Sequence, residues 1–448
     1  MAAFEFPQDF VFGTATASYQ IEGAAGEDGR GESIWDHFSH TPGKTYKGHT
    51  GDVACDHYHR ADEDIALMTN LGVGAYRFSI AWPRVIPDGD GPVNPKGLDW
   101  YSRLVDKLLA AGITPFATMY HWDLPQALEG KHGGWRSRKT PEAFARYAAT
   151  IVERLGDRVK HWFTLNEIPC TVFLGHGSGR HAPGATEDVG VLNQIQHHCL
   201  LAHGHGVRAV REHGGEGAEV GLVHNATCRI PVLEAPEHIE AAGRCFEEAN
   251  GPMLSPVARG CYPAEWLDEM DDDAPEVTPG DMELIASPTD FLGFNVYGGL
   301  YVEADGSEKG HRIVEFPAGY PHALAEWIKF TPQAVYWGVR FLHERYGFAR
   351  VYISENGCAM DDQLEDGRVD DLDRMFYYRL YLQQAQRAAA DGLPLAGYFA
   401  WSLMDNFEWA EGYNHRFGLH YVDFETLERT AKLSAKYYGA CVRARRVM

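Results

Sequence analysis

Short apolar runs recur along the chain and alternate with segments whose apolar residues have helical spacing. Eight runs are rich in β-branched and aromatic residues, at 10–20, 74–82, 113–122, 161–167, 219–226, 290–298, 351–357 and 395–406. Most of them are apolar at successive positions, which is typical of parallel strands buried on both faces. We therefore predict eight buried strands with helices between them.

Two of the intervening segments carry clear helix signals. In the first, apolar residues repeat at helical spacing from Phe144 to Leu155, with Thr140 as the predicted N-cap, Pro141 at the first helical position and Gly156 as the stop. The second helix is predicted over 98–111. Strands that alternate with helices predict an α/β fold, here a single (β/α)8 TIM barrel over 1–448. The longer gaps at 20–73, 227–289 and 299–350 are interpreted as extended βα loops, and an open doubly wound sheet is the alternative fold.

Polar and aromatic residues stand at the C-terminal ends of the predicted strands, where the active sites of barrels form. They are Tyr19, Gln20, Arg77, His121, Trp122, Asn166, Glu167, Asn225, Asn295, Tyr297, Glu355, Asn356 and Trp401. Together they predict one pocket of hydrogen-bonding groups and aromatic faces. Such a pocket suits a sugar, which offers many hydroxyls and apolar C–H faces.

The net charge indicates which binding partners to expect, and the cysteine content indicates which cell compartment. The chain has 40 Lys and Arg against 63 Asp and Glu, a net charge of -23, which disfavours binding to nucleic acid or to anionic membranes. We expect no targeting segment near the N-terminus and no membrane span. The 8 cysteines form no CxxC pair, so we expect reduced thiols and a cytoplasmic location.

Two of the strand-end residues are carboxylates, Glu167 and Glu355. A pair of carboxylates facing one polar cleft is the equipment of glycoside hydrolysis, provided that one is protonated while the other is ionised. Two charges about 5 Å apart at an effective dielectric constant near 20 repel by roughly 3 kcal/mol, or about two pKa units. Arg77 is the predicted cation that decides which carboxylate ionises.

At these residues the sequence resembles glycoside hydrolase family 1, the retaining β-glucosidases and their relatives. The resemblance spans nearly the whole chain, through FVFGTATASYQIEGA, GAYRFSIAWPRV, MYHWDLPQAL, TLNE, HAPG, GFNVY, ISENG and FAWSLMDNFEWAEGYNHRFGL. It implies an enzyme that removes terminal non-reducing β-D-glucosyl residues from short oligosaccharides or from aryl and alkyl β-glucosides. Its small-molecule substrate would be a β-glycoside, and no cofactor is implied.

The resemblance also implies a role for each matching residue. Glu167 would be the general acid/base and Glu355 the nucleophile of a double displacement, with the two carboxyls about 5 Å apart. Asn166 would hold the sugar 2-hydroxyl. The residues that would orient the nucleophile and keep it ionised are Arg77, Asn295 and Tyr297. The predicted substrate-binding residues are Gln20, His121, Trp122, Trp401, Glu408, Trp409 and Phe417 around the terminal sugar, and Trp327 as a platform for the aglycone.

Two positions bear on the choice of substrate. The family motif commonly runs Asn-Glu-Pro, often followed by Trp, whereas this chain has Ile168 and Pro169 after Glu167. An aglycone preference is therefore not carried over from relatives. Glu408 suits neutral hydroxyls and repels phosphate, which favours unphosphorylated β-glucosides, with β-fucosides and β-galactosides as secondary substrates.

Other interpretations stay open beside this one. A transglycosylating β-glycosidase would use the same residues, and a sugar-binding barrel without activity would not need both glutamates. His198, Cys199 and His203 are spaced like metal ligands, but we interpret them as helix-packing residues and predict no metal site. The sequence does not decide between a monomer and a homo-oligomer.

Overall fold

Eight parallel strands close into a barrel in the computed structural model, which describes residues 4–448. They are β1 Val11–Ala15, β2 Ala75–Ser79, β3 Thr114–Tyr120, β4 His161–Asn166, β5 Glu219–His224, β6 Phe291–Asn295, β7 Val351–Asn356 and β8 Leu395–Trp401. Each strand pairs with the next one along the chain, and β8 pairs with β1 through Val11 and Gly397. The predicted TIM barrel is confirmed, and the open doubly wound sheet is excluded by this closure.

Helices cover the outside of the barrel. In chain order α1 to α14 are Ser18–Ile21, Ile34–Ser39, His57–Leu71, Trp82–Val85, Pro95–Ala110, Gln126–His132, Lys139–Leu155, Val189–His213, Pro236–Arg259, Ala264–Met270, Asp281–Ile285, Gln333–Tyr346, Leu372–Ala390 and Leu433–Ala444. Short strands outside the barrel form a three-stranded sheet (Cys228–Pro231, Gly299–Glu303 and Arg312–Val314) and a pair (His420–Val422 with Arg429–Ala431). The three-stranded sheet lies in the loops that follow β5 and β6, as expected for extended βα loops.

The predicted start of one helix is wrong. Helix α7 begins at Lys139, so Thr140 and Pro141 are its second and third residues, and Thr140 is not the N-cap. The Thr140 hydroxyl instead donates to the carbonyl of Gly134, in the turn before the helix. The predicted stop at Gly156 is correct. Helix α5 begins at Pro95, earlier than predicted, because proline is well suited to the first turn.

Aromatic rings fill the barrel interior. The ring of Phe116 lies 5.0 Å from that of Phe399 and 5.5 Å from that of Tyr352, centroid to centroid. Gly13 makes room for this layer, since a Cβ there would lie 2.4 Å from the Phe399 ring. A filled interior leaves the strand ends as the place where a ligand can enter.

The single domain over 1–448 and the lack of a targeting segment stay predictions. Among residues 4–448, no helix is both long enough and apolar enough to cross a membrane. Residues 1–3, which belong to the N-terminal stretch expected to lack a targeting segment and to the predicted domain 1–448, lie outside the described residues.

Candidate active site

A cavity of about 690 Å³ opens at the C-terminal ends of the barrel strands. This volume is within the range usual for small-molecule sites. The predicted residues that line it are His121, Trp122, Glu167, Asn295, Tyr297, Trp327, Glu355, Trp401, Glu408, Trp409 and Phe417. Gln20, Arg77 and Asn166 are buried and reach the site through hydrogen bonds to these residues.

Glu355, at the end of β7, is held by a donor on each carboxylate oxygen. Nη1 of Arg77 lies 2.6 Å from Oε1, and the hydroxyl of Tyr297 donates to Oε2 at 2.7 Å. Arg77 is fully buried, so this ion pair is shielded from water. Arg77 also donates to Oδ1 of Asn166 at 2.7 Å, which couples the nucleophile candidate to the end of β4.

Glu167 directly follows β4 and has different neighbours. Nδ2 of Asn295 donates to Oε1 at 2.8 Å, and Sγ of Cys170 lies 3.1 Å from Oε2. Asn295 was expected to orient Glu355 and keep it ionised, and this role stays a prediction. Its hydrogen bonds at these distances go to Glu167 and to Asn166. Asn295 can reach these partners because its own Oδ1 is fixed by the hydroxyl of Ser354 at 2.7 Å.

The two carboxyls differ in electrostatic environment. Burial raises the pKa of Glu167 to about 7, and the charge of Glu355 adds to this rise. Burial also raises the pKa of Glu355, but the guanidinium of Arg77, the hydroxyl of Tyr297 and the amide of Asn295 oppose that rise. The contacts of Glu355 thus favour its charged form, whereas burial and the neighbouring charge favour the protonated form of Glu167.

Three residues at the cavity have left-handed backbone conformations that non-glycine residues rarely adopt. The φ angles are 74° at Trp122, 46° at Glu167 and 51° at Trp409. Such conformations persist only where the surroundings enforce them, and they concentrate at functional sites. They turn these three side chains out of the strand or loop direction and into the cavity.

Hydrogen-bonding groups at one end of the cavity are arranged for hydroxyls. Nε2 of Gln20 donates to Oε2 of Glu408 at 3.2 Å and to Oδ1 of Asn406 at 3.0 Å, while its buried Oε1 has no partner among the described residues. His121 accepts from Nδ2 of Asn166 at Nε2, so its buried Nδ1 carries the proton and is free to donate. Burial raises the pKa of Glu408 to about 8, with the charge of Glu355 as the next cause.

Aromatic rings line the rest of the cavity. The ring centroids of Trp122 and Trp409 lie 4.6 Å apart, and the indole N–H of Trp122 donates to the carbonyl of Asn166 at 3.0 Å. Trp401 and Phe417 also line the cavity. Trp327 is 61% exposed and its ring lies 5.4 Å from that of Tyr297, which is where a platform for an aglycone would have to be.

Buried ion pairs support the loop that carries Glu408 and Trp409. Asp405 accepts from Lys432 at 2.6 Å and from Arg416 at 2.7 Å, and Lys432 also donates to Asp362 at 2.5 Å. Lys432 immediately precedes α14, the last helix of the chain. The sequence did not point to this network, because its members are far apart along the chain.

Cys170, which the sequence did not single out, contacts Glu167, and Asn225 contacts Cys170. Nδ2 of Asn225 donates to Sγ of Cys170 at 3.4 Å, beside Glu167. Cys170 lies three residues after Glu167, a spacing that could have suggested contact if the turn between them had been known. His198 and His203 are engaged by protein groups, with Nδ1 atoms 2.8 Å from the Trp135 carbonyl and from the Thr164 hydroxyl, as the packing interpretation requires.

Comparison with known proteins agrees with this arrangement. Residues 2–447 match the family model described as glycosyl hydrolase family 1. The chain is 48% identical over 445 residues to a β-glucosidase of an Agrobacterium species, covering 98% of this chain and 95% of the relative. It is 43% identical over 456 residues to a bifunctional β-D-glucosidase/β-D-fucosidase of Bifidobacterium breve, covering 97% of each.

A solved structure extends the agreement to three dimensions. The Thermotoga maritima family 1 glycoside hydrolase complexed with a cyclophellitol analogue, a transition state mimic, superposes with a TM-score of 0.91 at 44% identity and covers 100% of both chains. The resemblance inferred from the motifs is confirmed by these matches. The chain belongs to glycosyl hydrolase family 1.

Proposed function

We propose that the chain is a retaining β-glucosidase in which Glu355 is the nucleophile and Glu167 the general acid/base. The observation that carries this proposal is the unequal support of two buried carboxyls on one cavity. Glu355 has a cation and a hydroxyl donor on its two oxygens, whereas Glu167 has an amide and a thiol. An ionised carboxylate beside a protonated one is what double displacement at an anomeric carbon requires.

In the first half of the reaction, Glu355 attacks the anomeric carbon as the bond from that carbon to the aglycone oxygen breaks. The proton of Glu167 passes to the departing oxygen. Because the pKa of Glu167 is about 7, it holds this proton near neutral pH and can release it readily. Arg77 stays paired with Glu355 while the negative charge of Glu355 is consumed in forming the glycosyl ester.

In the second half, Glu167 is ionised and takes a proton from water. The water oxygen bonds to the anomeric carbon, and the bond to Glu355 breaks, so the sugar leaves with its original configuration. An acceptor sugar that takes the place of water would give transglycosylation with the same groups. Asn166, which Arg77 and Asn295 hold at its Oδ1, keeps its amide near the position proposed for the sugar 2-hydroxyl.

The terminal sugar is proposed to be an unphosphorylated β-glucosyl group. Gln20, His121 and Glu408 offer a free acceptor, a free donor and a carboxyl, and such a set fits neutral hydroxyls. Tryptophan faces at 122 and 409 suit the apolar side of a pyranose ring. Since one relative is named for both β-D-glucosidase and β-D-fucosidase activity, a β-fucoside is the first secondary substrate to test.

Azide rescue tests both assignments at once. With 4-nitrophenyl β-glucoside, we expect Glu355→Gly to be nearly inactive and to form the α-glucosyl azide when azide is added. We expect Glu167→Ala to form the β-glucosyl azide, because azide needs no general base. Glu411→Ala removes another carboxyl that lines the cavity and serves as the matched control, with no azide product expected. If either catalytic variant keeps wild-type hydrolysis without azide, the role given to that glutamate is wrong.

A cytoplasmic location is also proposed, on the ground that all eight cysteines are free, seven of them at least partly buried. Free thiols are usual where the cell keeps them reduced. Fractionation of the native cells should recover the β-glucosidase activity with cytoplasmic marker enzymes. Recovery with secreted proteins would contradict the proposal.

A further inference from the structure

A thiol contacts the carboxyl group of Glu167 from within the same short stretch of chain. Sγ of Cys170 is 3.1 Å from Oε2, and Nδ2 of Asn295 donates to Oε1 at 2.8 Å. Each carboxyl oxygen therefore has its own protein partner. Cys170 also lines the cavity, so its contact with Glu167 lies at the edge of the space available to substrate.

The backbone between the two residues creates this contact. Glu167 has a left-handed φ of 46°, and the N–H of Cys170 donates to the carbonyl of Glu167 at 2.9 Å, which closes a turn. Pro169, with φ of -55°, leads into the π-helical segment Cys170–Gly177, and the side chain of Ile168 is buried. The turn places the side chains of residues 167 and 170 together, and π-helical segments often occur where a functional side chain is displayed.

The neighbours of the sulfur indicate which way its proton points. Nδ2 of Asn225 donates to Sγ at 3.4 Å, so the sulfur is an acceptor on that side. Its own S–H proton is then available for Oε2 of Glu167. Burial raises the pKa of the Cys170 thiol, and the charge of Glu167 raises it further. The thiol therefore remains protonated, and it remains a donor, whenever Glu167 is ionised.

We propose that Cys170 is a positioning residue for the acid/base, donating an S–H···O bond that holds the ionised carboxylate of Glu167 in place. The inference rests on the proposed role of Glu167. The bond is strongest when Glu167 has lost its proton, which is the state in which it activates water. Cys170 acts through Glu167 and takes no part in bond making itself.

The proposed bond predicts the direction in which the pKa of Glu167 moves when Cys170 is replaced. A donor to the ionised form lowers the pKa of Glu167, and removal of that donor raises it. The other titratable groups that sense Glu167 are Glu355, Arg77, Tyr297 and Glu408. All four are unchanged when only residue 170 is replaced, so a shift in the pH profile reports on the thiol.

The test compares Cys170→Ala and Cys170→Ser in the full-length protein, through the pH dependence of kcat/KM. With an alkyl β-glucoside, whose poor leaving group needs a proton, activity falls as pH rises through the pKa of Glu167. We expect the alanine variant to move this basic limb up by about half to one pH unit, the size of a modest hydrogen bond. The serine variant keeps a donor, so its limb should stay at the wild-type position or below it.

Substrates with different leaving groups distinguish a positioning role of Cys170 from a general loss of activity. A 2,4-dinitrophenyl β-glucoside needs no proton on its leaving group, so its kcat/KM should be nearly the same in Cys170→Ala and in wild type. Val172→Ala, which removes buried side-chain volume from the same π-helical segment, should lower Tm and leave the basic limb where it is. Cys261→Ala removes an exposed thiol elsewhere and should change neither property.

Several results would overturn the inference. An unmoved basic limb in Cys170→Ala would mean that the thiol does not support the carboxylate. A limb that moves to lower pH would mean that Glu167 donates its proton to sulfur, the reverse of the proposed bond. An equal shift in Val172→Ala would make the effect one of loop packing. If Glu167→Ala itself hydrolyses the alkyl glucoside normally, the proposed function fails as well, so the two failures are distinguishable.

Discussion

The hydroxyl of Tyr297 gives the sharpest test of how Glu355 is kept ionised. Tyr297→Phe removes one of the two donors on this carboxylate, the 2.7 Å bond to Oε2, and leaves the 2.6 Å bond from Arg77 to Oε1. The ring itself should stay in place, because it packs against Trp327 and Phe417. The substitution therefore changes one hydrogen bond and little else.

The size of the effect follows from the charge of the acceptor. A hydrogen bond to a charged group contributes about 1.5–3 kcal/mol, and one pKa unit corresponds to about 1.4 kcal/mol. The pKa of Glu355 should therefore rise by about one to two units. Since Glu355 must be ionised to attack, activity is lost as pH falls through this pKa, and the acidic limb of kcat/KM should move to higher pH by that amount.

The assay is the pH profile of kcat/KM for 4-nitrophenyl β-glucoside between pH 4 and pH 9. Tyr301→Phe is the matched control, because the Tyr301 hydroxyl contacts Tyr320 and Gln333 and, in the described part of the chain, bonds to neither Glu355 nor Glu167. Its acidic limb should coincide with that of wild type. An acidic limb in Tyr297→Phe that stays in place, or that moves to lower pH, would refute the proposed support of the nucleophile.

Two further predictions concern the loop network and the cavity mouth. Lys432→Met removes the buried cation that Asp405 and Asp362 share, so that Asp405 keeps only Arg416 and Asp362 keeps only Arg374 as a cationic partner. The cluster then has one buried negative charge uncompensated, and the free energy of unfolding should fall by about 3–5 kcal/mol in urea titration; a change below about 1 kcal/mol would contradict a structural role for Lys432. Trp327→Ala should raise KM for aryl β-glucosides by about 2- to 10-fold, the value of an aromatic contact, and leave KM for methyl β-glucoside unchanged; equal changes for both would argue against a platform for the aglycone.

The strand-end residues were predictable because parallel strands bring their C-terminal ends to one rim. Arg77, Glu167 and Glu355 could be grouped on that ground alone, although they are separated by 90 and 188 residues. The partner of Asn295 was not predictable, because an amide between two carboxyls is decided by side-chain rotamers. A side-chain contact of this kind produces no periodic pattern in the amino-acid sequence.

Local backbone conformation explains the other differences. Thr140 has the chemistry of an N-cap, but the turn before α7 continues as helix from Lys139, so its hydroxyl finds a partner in that turn instead. The contact between Cys170 and Glu167 depends on a left-handed φ at a glutamate, which no propensity rule favours. The motifs identified the family, whereas the roles of such neighbours required coordinates.

The ion pairs of Lys432 with Asp405 and Asp362 also make the sugar pocket depend on a segment outside the barrel strands. Lys432 immediately precedes α14, and its ammonium holds the loop that carries Glu408 and Trp409. A chain cut before Lys432 keeps all eight barrel strands with both Glu167 and Glu355, but it loses this cation. Such a chain should therefore bind substrate poorly, so the capacity to bind a sugar and the capacity to supply the carboxyls are separable by truncation.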